Sequence, residues 1–293
     1  MLADAGNLRR LAMSVFMSIF LGLVQGVTEF LPVSSSGHLS ILQNLFKIRF
    51  VEEDHLLFDV LLHFGTMIAI IGVYWKEIKT MLSEGINFLR MRSDSDLDEP
   101  VVMKPPARAL LFVIVGTLPM FLMLFFMKSV KRLFYHTGFI GFALAITGGL
   151  LFVSDKYIQR GNKTEKTMTL TDAIVIGLAQ AVAIVPGLSR SGTTISVGLA
   201  RGLSGSFAVR FSMLLSIPSV FGATLVTLFS AVRDGINFSL LPVYLIGFIC
   251  ATAIGFLAIQ LMRRIMNRSG FGKIAYYCWG AGGLTMILSL ILR

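Results

Sequence analysis

Apolar runs alternate with short polar breaks along this chain, and the lengths of the runs sort them into two kinds. Leu56–Trp75, Ala107–Met127, Gly138–Ser154, Ala208–Val232, Leu240–Met262 and Ile274–Leu292 approach the roughly 20 residues that a helix needs to cross a hydrocarbon core. Two other runs are too short. Leu11–Val24 has about fourteen residues, and Leu31-Pro32 soon ends that helix because the proline ring clashes with the preceding turn. Leu170–Val185 is broken likewise by Pro186-Gly187. A second short helix is expected beyond each break, from the capping serines Ser34–Ser36 to about Phe46 and from Ser191 to about Leu203. Each pair reads as a re-entrant hairpin, whose polar tip is tolerated at membrane depth only against protein or a wet cavity. The expected fold is all-α and membrane-integral, with six transmembrane helices plus two re-entrant helical hairpins.

The plan occurs twice. Residues 1–154 form a first repeat of one hairpin and three spans, 155–166 a hydrophilic cytoplasmic linker, and 167–293 a second repeat. Three crossings per half invert the second copy, and inverted repeats with broken helices put substrate sites near the bilayer midplane. Gly22, Gln25, Ser34, Ser36 and Gly37 recur at one offset as Gly177, Gln180, Ser189, Ser191 and Gly192.

Composition agrees with a membrane chain: 55% of residues are apolar and 14% charged, against roughly 25% charged in soluble domains. The net charge of +10 does not indicate nucleic acid, because the basic residues sit in loops between spans. Lys76–Arg108, Lys156–Lys166 and Arg263–Lys273 carry six, four and four of them on one side, against six on the other. The richer side is expected to be cytoplasmic, so the first hairpin enters from the outer face. Arg9-Arg10 and the following apolar run imitate a signal peptide, but no small-residue cleavage site follows, and the segment is expected to be retained. Cys250 and Cys278 lie in apolar runs and read as packing residues.

The chemistry concentrates in the two breaks. Gln25 and Glu29 share one helix face at i,i+4. A carboxylate buried there neutralises itself or finds a cation, either Arg190 of the other hairpin or a divalent metal; the plainer alternative makes Glu29 a structural tie. Ser34, Ser35 and Ser36, and Ser189, Ser191 and Thr194, begin helices whose free N–H groups attract anions. Two such ends with Arg190 between them suit a phosphate or diphosphate. His38, three residues past Ser35, is a candidate nucleophile or acid–base group, otherwise a packing residue. His63 could pair with Asp59 at i,i+4, and that pair reads as structural or as support for the site residues; His55 and His136 read as interfacial.

Gln25–His38 resembles the (E/Q)xxxE-x-LPxSSSGH region of the bacterial undecaprenyl-diphosphate phosphatase family of the bacitracin-resistance type, and Pro186–Thr194 resembles its PGxSRSxxT motif. The resemblance implies an enzyme that removes the terminal phosphate of undecaprenyl diphosphate, recycling the lipid carrier of cell-wall synthesis. It implies a multi-pass protein of the bacterial inner membrane with its site open to the periplasm, using Mg²⁺ or Ca²⁺. Carried onto this chain, Glu29, Ser35, His38, Ser189, Arg190 and Thr194 match functional positions, with Ser35 favoured as nucleophile and His38 as its partner. Glu29 and Gln25 are the candidate metal ligands, although Gln25 stands where many members have Glu. Two rivals remain. A polyprenyl-phosphate flippase would share the architecture but has no need of a Glu29/Ser35/His38 cluster. The acid-phosphatase-like lipid phosphatases need a histidine after the Ser-Arg pair, and none follows Ser189-Arg190. The glycines at 141–149 and 280–283 permit a homodimer.

Overall fold

The computed structural model describes residues 15–45, 52–93, 102–158, 160–234, 240–268 and 270–291. The segment read as a retained N-terminal membrane sequence begins outside the described residues. Regular structure among the described residues is helical, apart from one isolated bridge between Lys163 and Leu203. Helix α1 runs Val15–Phe30 and stops at Leu31-Pro32; α2 follows at Ser35–Leu45. Helix α3 (Glu52–Val73) reaches Tyr74, where the chain bends by 77° into the amphipathic α4 (Trp75–Ser93).

Pro105-Pro106 open α5 (Pro105–Thr117), a favourable place because the first turn needs no proline N–H. Pro119 sits within the run and cannot donate to the helical ladder, and residues Leu118–Phe126 tighten into a 3₁₀ helix before α6 (Met127–Leu133). Helix α7 is Thr137–Ser154, and α8 (Leu170–Val182) begins with a capping box between Thr169 and Asp172. Then come α9 (Arg190–Ala200), α10 (Gly205–Asp234), α11 (Leu241–Arg268) and α12 (Gly272–Ile291).

Among the described residues, five stretches are long and apolar enough to cross a membrane: Pro105–Leu133, Thr137–Ser154, Gly205–Val226, Leu241–Met266 and Gly272–Ile291. The bent pair Leu57–Val73 and Trp75–Arg92 passes only when taken together. Large apolar side chains such as Phe125, Phe229, Ile249 and Leu290 face outward, as a lipid-facing surface requires. The chain is an integral, multi-pass membrane protein.

Helices α1 and α3 pack on α11, α3 also on α10, α8 on α5, and α7 on α12. A Cβ on Gly22 would lie 2.6 Å from the Gly247 carbonyl oxygen, and one on Gly141 2.7 Å from that of Gly282. These small residues let backbones touch. Part of the glycine surface read as permitting a dimer is therefore used inside the chain: Gly141 and Gly148 meet α12, and Gly282 meets α7. A Cβ added at Gly149, Gly280 or Gly283 would meet nothing within 4 Å beyond its own stretch of helix.

Candidate functional site

The two short hairpins meet tip to tip. A Cβ on Gly37 would lie 3.0 Å from Gly187 Cα, and one on Gly192 3.2 Å from Pro32 Cβ. Gly187 is bound to its position by conformation as well, since its φ of +93° is one that residues with a side chain rarely adopt. Thr147 of α7 anchors this tip, its Oγ1 donating to the Gly187 carbonyl at 2.9 Å and accepting from Ser189 N at 3.0 Å.

The two tips are built alike. Ser34 caps α2 by accepting from Gly37 N at 3.2 Å, and Ser189 caps α9 by accepting from Gly192 N at 3.0 Å. Each cap is worth about 1 kcal/mol. Ser36 and Ser191 stand beside their caps, with hydroxyl separations of 3.5 and 3.3 Å. Ser34 takes a φ of +69°, so the chain turns sharply between proline and helix.

Because Ser34 does the capping, Ser35 is free for another partner. Its Oγ donates to Glu29 Oε2 at 2.5 Å. That oxygen also accepts from Gln25 Nε2 at 2.9 Å, one helical turn earlier, and lies 3.6 Å from His63 Nε2. Glu29 Oε1 pairs with the Arg190 guanidinium of the opposite hairpin. The Glu29 side chain is 4% exposed and that of Arg190 21%, so the cation faces the wetter side. One carboxylate thus joins both hairpins and α3.

His38 is not the partner of Ser35 in this arrangement. Its Nδ1 lies 2.8 Å from the Ser34 carbonyl oxygen, which can only accept, so Nδ1 carries the proton. Nε2 lies 2.8 Å from Tyr277 OH on α12. The reason is local: a histidine four residues after a carbonyl at a helix start folds back onto it, while Ser35 lies on the face of α2 that meets Glu29. Thr194 turns back onto its own helix, its Oγ1 donating to the Arg190 carbonyl at 2.9 Å and lying 2.6 Å from Ser212 Oγ on α10. Gln180 is drawn off to Ser219, Nε2 to Oγ 2.9 Å.

Two residues at this site had no strong sequence signal. His63 donates through Nδ1 to the Asp59 carbonyl at 2.8 Å and faces Glu29 with the other nitrogen, so the spacing to Asp59 was legible and the contact with Glu29 was not. Tyr277 lies 239 positions from His38 in an ordinary apolar span. No group of three or more His, Cys, Asp or Glu side chains gathers to hold a metal among the described residues. Oxygen donors do exist there: the Glu29 carboxylate and Gln25 Oε1, which is buried without a hydrogen-bond partner. A single carboxylate beside an orphaned amide oxygen fits a hard cation that takes its other ligands from a substrate's phosphates. Arranged together, the groups can bind an oxyanion and deprotonate a hydroxyl.

The chain is similar to curated undecaprenyl-diphosphatases over almost its whole length. That of Methanosphaera stadtmanae is 36% identical over 283 residues, which cover 96% of this chain and 100% of the relative. The Carboxydothermus hydrogenoformans protein is 37% identical over 280 residues, 94% and 98% of the two chains. The Syntrophotalea carbinolica protein is 38% identical over 278 residues, 94% and 100%. Residues 18–284 match the family described as bacitracin resistance protein BacA, a stretch holding both hairpins and the Glu29–Arg190 pair between them. On that match and those identities, this chain is a member of the BacA family.

Proposed function

We infer that this protein hydrolyses undecaprenyl diphosphate to undecaprenyl phosphate and inorganic phosphate. One observation carries the reading at the level of the site: a serine hydroxyl hydrogen-bonded to a buried carboxylate that is itself ion-paired to an arginine from the other hairpin. A carrier has no use for that chain of groups, and its neighbours are the helix starts that bind phosphate.

In the proposed mechanism the diphosphate lies at the hairpin tips and its prenyl chain extends into lipid. Ser35 Oγ attacks the terminal phosphorus in line as its proton passes to Glu29. The new Oγ–P bond forms while the bond to the bridging oxygen breaks, and undecaprenyl phosphate departs. Arg190 and the N–H groups that open α2 and α9 hold the equatorial oxygens, where most of the stabilisation of phosphoryl transfer arises. Water then attacks the phosphoserine phosphorus, giving a proton to His38 Nε2 once Tyr277 yields it; the Oγ–P bond breaks, inorganic phosphate leaves, and Ser35 recovers its proton from Glu29. Glu29 and Gln25 Oε1 would hold Mg²⁺ or Ca²⁺, which when bound neutralises charge on the diphosphate.

The architecture belongs to the same proposal: six spans, counting α3, with two re-entrant hairpins in inverted repeats at 1–154 and 167–293 joined by 155–166. Support comes from packing that interchanges under such symmetry, α1 against α11 answering α8 against α5, and α3 against α11 answering α10 against α5. The basic-loop asymmetry supports an inner-membrane protein whose site opens to the periplasm. Phosphate release from undecaprenyl diphosphate by the purified chain in detergent, with no membrane and no gradient, tests the hydrolytic reading. Release no faster than in protein-free detergent would refute it, and an S35A protein as fast as the parent would remove Ser35 as the nucleophile.

A further inference from the structure

A second polar cavity, of about 390 Å³, opens at the end of the bundle that carries the basic loops. Its walls include Tyr74, Thr164, Glu165, Ser204, Arg210 and Arg263. Helix α3 relates it to the hairpin site: His63 faces Glu29, and Tyr74 lies eleven residues on, roughly 16 Å along the axis.

The lining is rich in fixed donors. The Arg263 guanidinium lies over the Tyr74 ring, 4.4 Å from its centroid, with Nε 3.3 Å from the phenol oxygen. Among the described residues it forms no ion pair with a carboxylate. Arg210 lies over Phe207 at 5.2 Å and places Nη2 2.7 Å from Glu165 Oε2. Among the described residues Glu165 is the one carboxylate on the wall, and Arg210 already occupies it. Ser204 and Ser206 flank the start of α10, a 30-residue helix whose first N–H groups have no acceptor within the helix.

Guanidiniums placed over aromatic rings are restrained forks, and such forks match tetrahedral oxyanions. A planar base is disfavoured, because both aromatic faces are already covered by guanidiniums. The volume falls within the range of ligand sites and exceeds what a bare ion fills, leaving room for the first atoms of an ester. We propose that this cavity is a second anion site that takes a phosphate monoester group, separate from the hairpin site. Inorganic phosphate and a prenyl monophosphate share that chemistry. The proposal concerns binding alone and stands whether or not the hairpin site hydrolyses anything.

The test is calorimetric titration of the purified full chain in detergent, in an R190Q background that removes the hairpin site's cation. Inorganic phosphate and a short-chain prenyl monophosphate are titrated separately. Saturable binding of at least one is expected, weakened tenfold or more by adding R263Q and by an intermediate factor by adding R263K, which keeps the charge and loses the fork. Saturation by inorganic phosphate assigns the free ion; saturation by the prenyl monophosphate alone assigns a lipid headgroup. No saturable binding of either probe to R190Q protein, or R190Q/R263K and R190Q/R263Q proteins that bind as tightly as R190Q, would overturn the proposal.

Discussion

Replacing Glu29 by glutamine separates the two jobs assigned to that carboxylate. The amide keeps the shape and can still accept from Ser35, but it cannot take the proton or neutralise Arg190. Removing one member of a buried ion pair costs about 3–5 kcal/mol when the other charge is left dry. With the Arg190 side chain 21% exposed, water reaches the cation, and the loss should fall at or below about 3 kcal/mol. Loss of a general base slows turnover by about 10²–10⁴, equivalent to about 2.7–5.4 kcal/mol at 1.36 kcal/mol per decade. E29Q should therefore show a lowered thermal midpoint in detergent together with that drop in single-turnover phosphate release. The E29Q/R190Q protein should regain stability, since no charge is stranded, and regain no turnover. An E29Q protein within tenfold of the parent, or a double variant that recovers activity, refutes Glu29 as the base and leaves it a structural tie.

The adjacent serines should part company in activity: S34A loses the α2 cap and about 1 kcal/mol of stability while keeping most turnover, whereas S35A gives up a hydrogen bond to a buried carboxylate, about 1.5–3 kcal/mol, and loses phosphate release as well. Y277F removes the partner of His38 Nε2. A hydrogen bond of about 0.5–1.5 kcal/mol corresponds to a two- to tenfold change, expected in kcat with KM unmoved; a change confined to KM would make Tyr277 a substrate contact. Chelation should depress phosphate release, and Q25E, by adding a second carboxylate, should lower the Mg²⁺ concentration giving half-maximal rate; indifference to both would remove the ion from this site. G187A forces a side chain into a φ of +93° with its Cβ 2.5 Å from the Ile140 carbonyl oxygen. It should cost about 1–3 kcal/mol and raise KM as the tip is displaced, and an unshifted thermal midpoint would contradict the tip packing.

What the sequence made legible was what local chemistry dictates. Proline at 32 and at 186 must end a helix, serine must cap the next, and a carboxylate in apolar surroundings must find a cation; Glu29 and Arg190 meet on those grounds. The spans were legible because each buries or exposes apolar surface along its whole length. What escaped notice depends on distant neighbours. Tyr277 looks like an unremarkable member of an apolar helix, and His63 points only to Asp59, until α3 and α12 are packed beside the hairpins. The pairing of Ser35 with His38 failed because proximity in sequence does not say which way a helix turns its side chains, and the Ser34 carbonyl claimed the imidazole first. The 3₁₀ stretch after Pro119 and the 77° bend at Tyr74 were missed because apolar content reports length and not curvature. The Lys163 and Arg201 contacts to Asp172 went unnoticed because all three residues sit near loops, where charge is unremarkable.

The ion pair between the tips joins residues 161 positions apart, one from each half of the chain. Neither half holds a working set of groups, so a nascent chain emerging into the membrane carries Ser35 with no arginine opposite until more than half of it has been made. On the proposed mechanism, chemical competence arrives only with assembly of the whole. Unfinished or separated halves would stay inert toward the lipids around them, and activity recovered on mixing two separately made halves would report that the halves had docked.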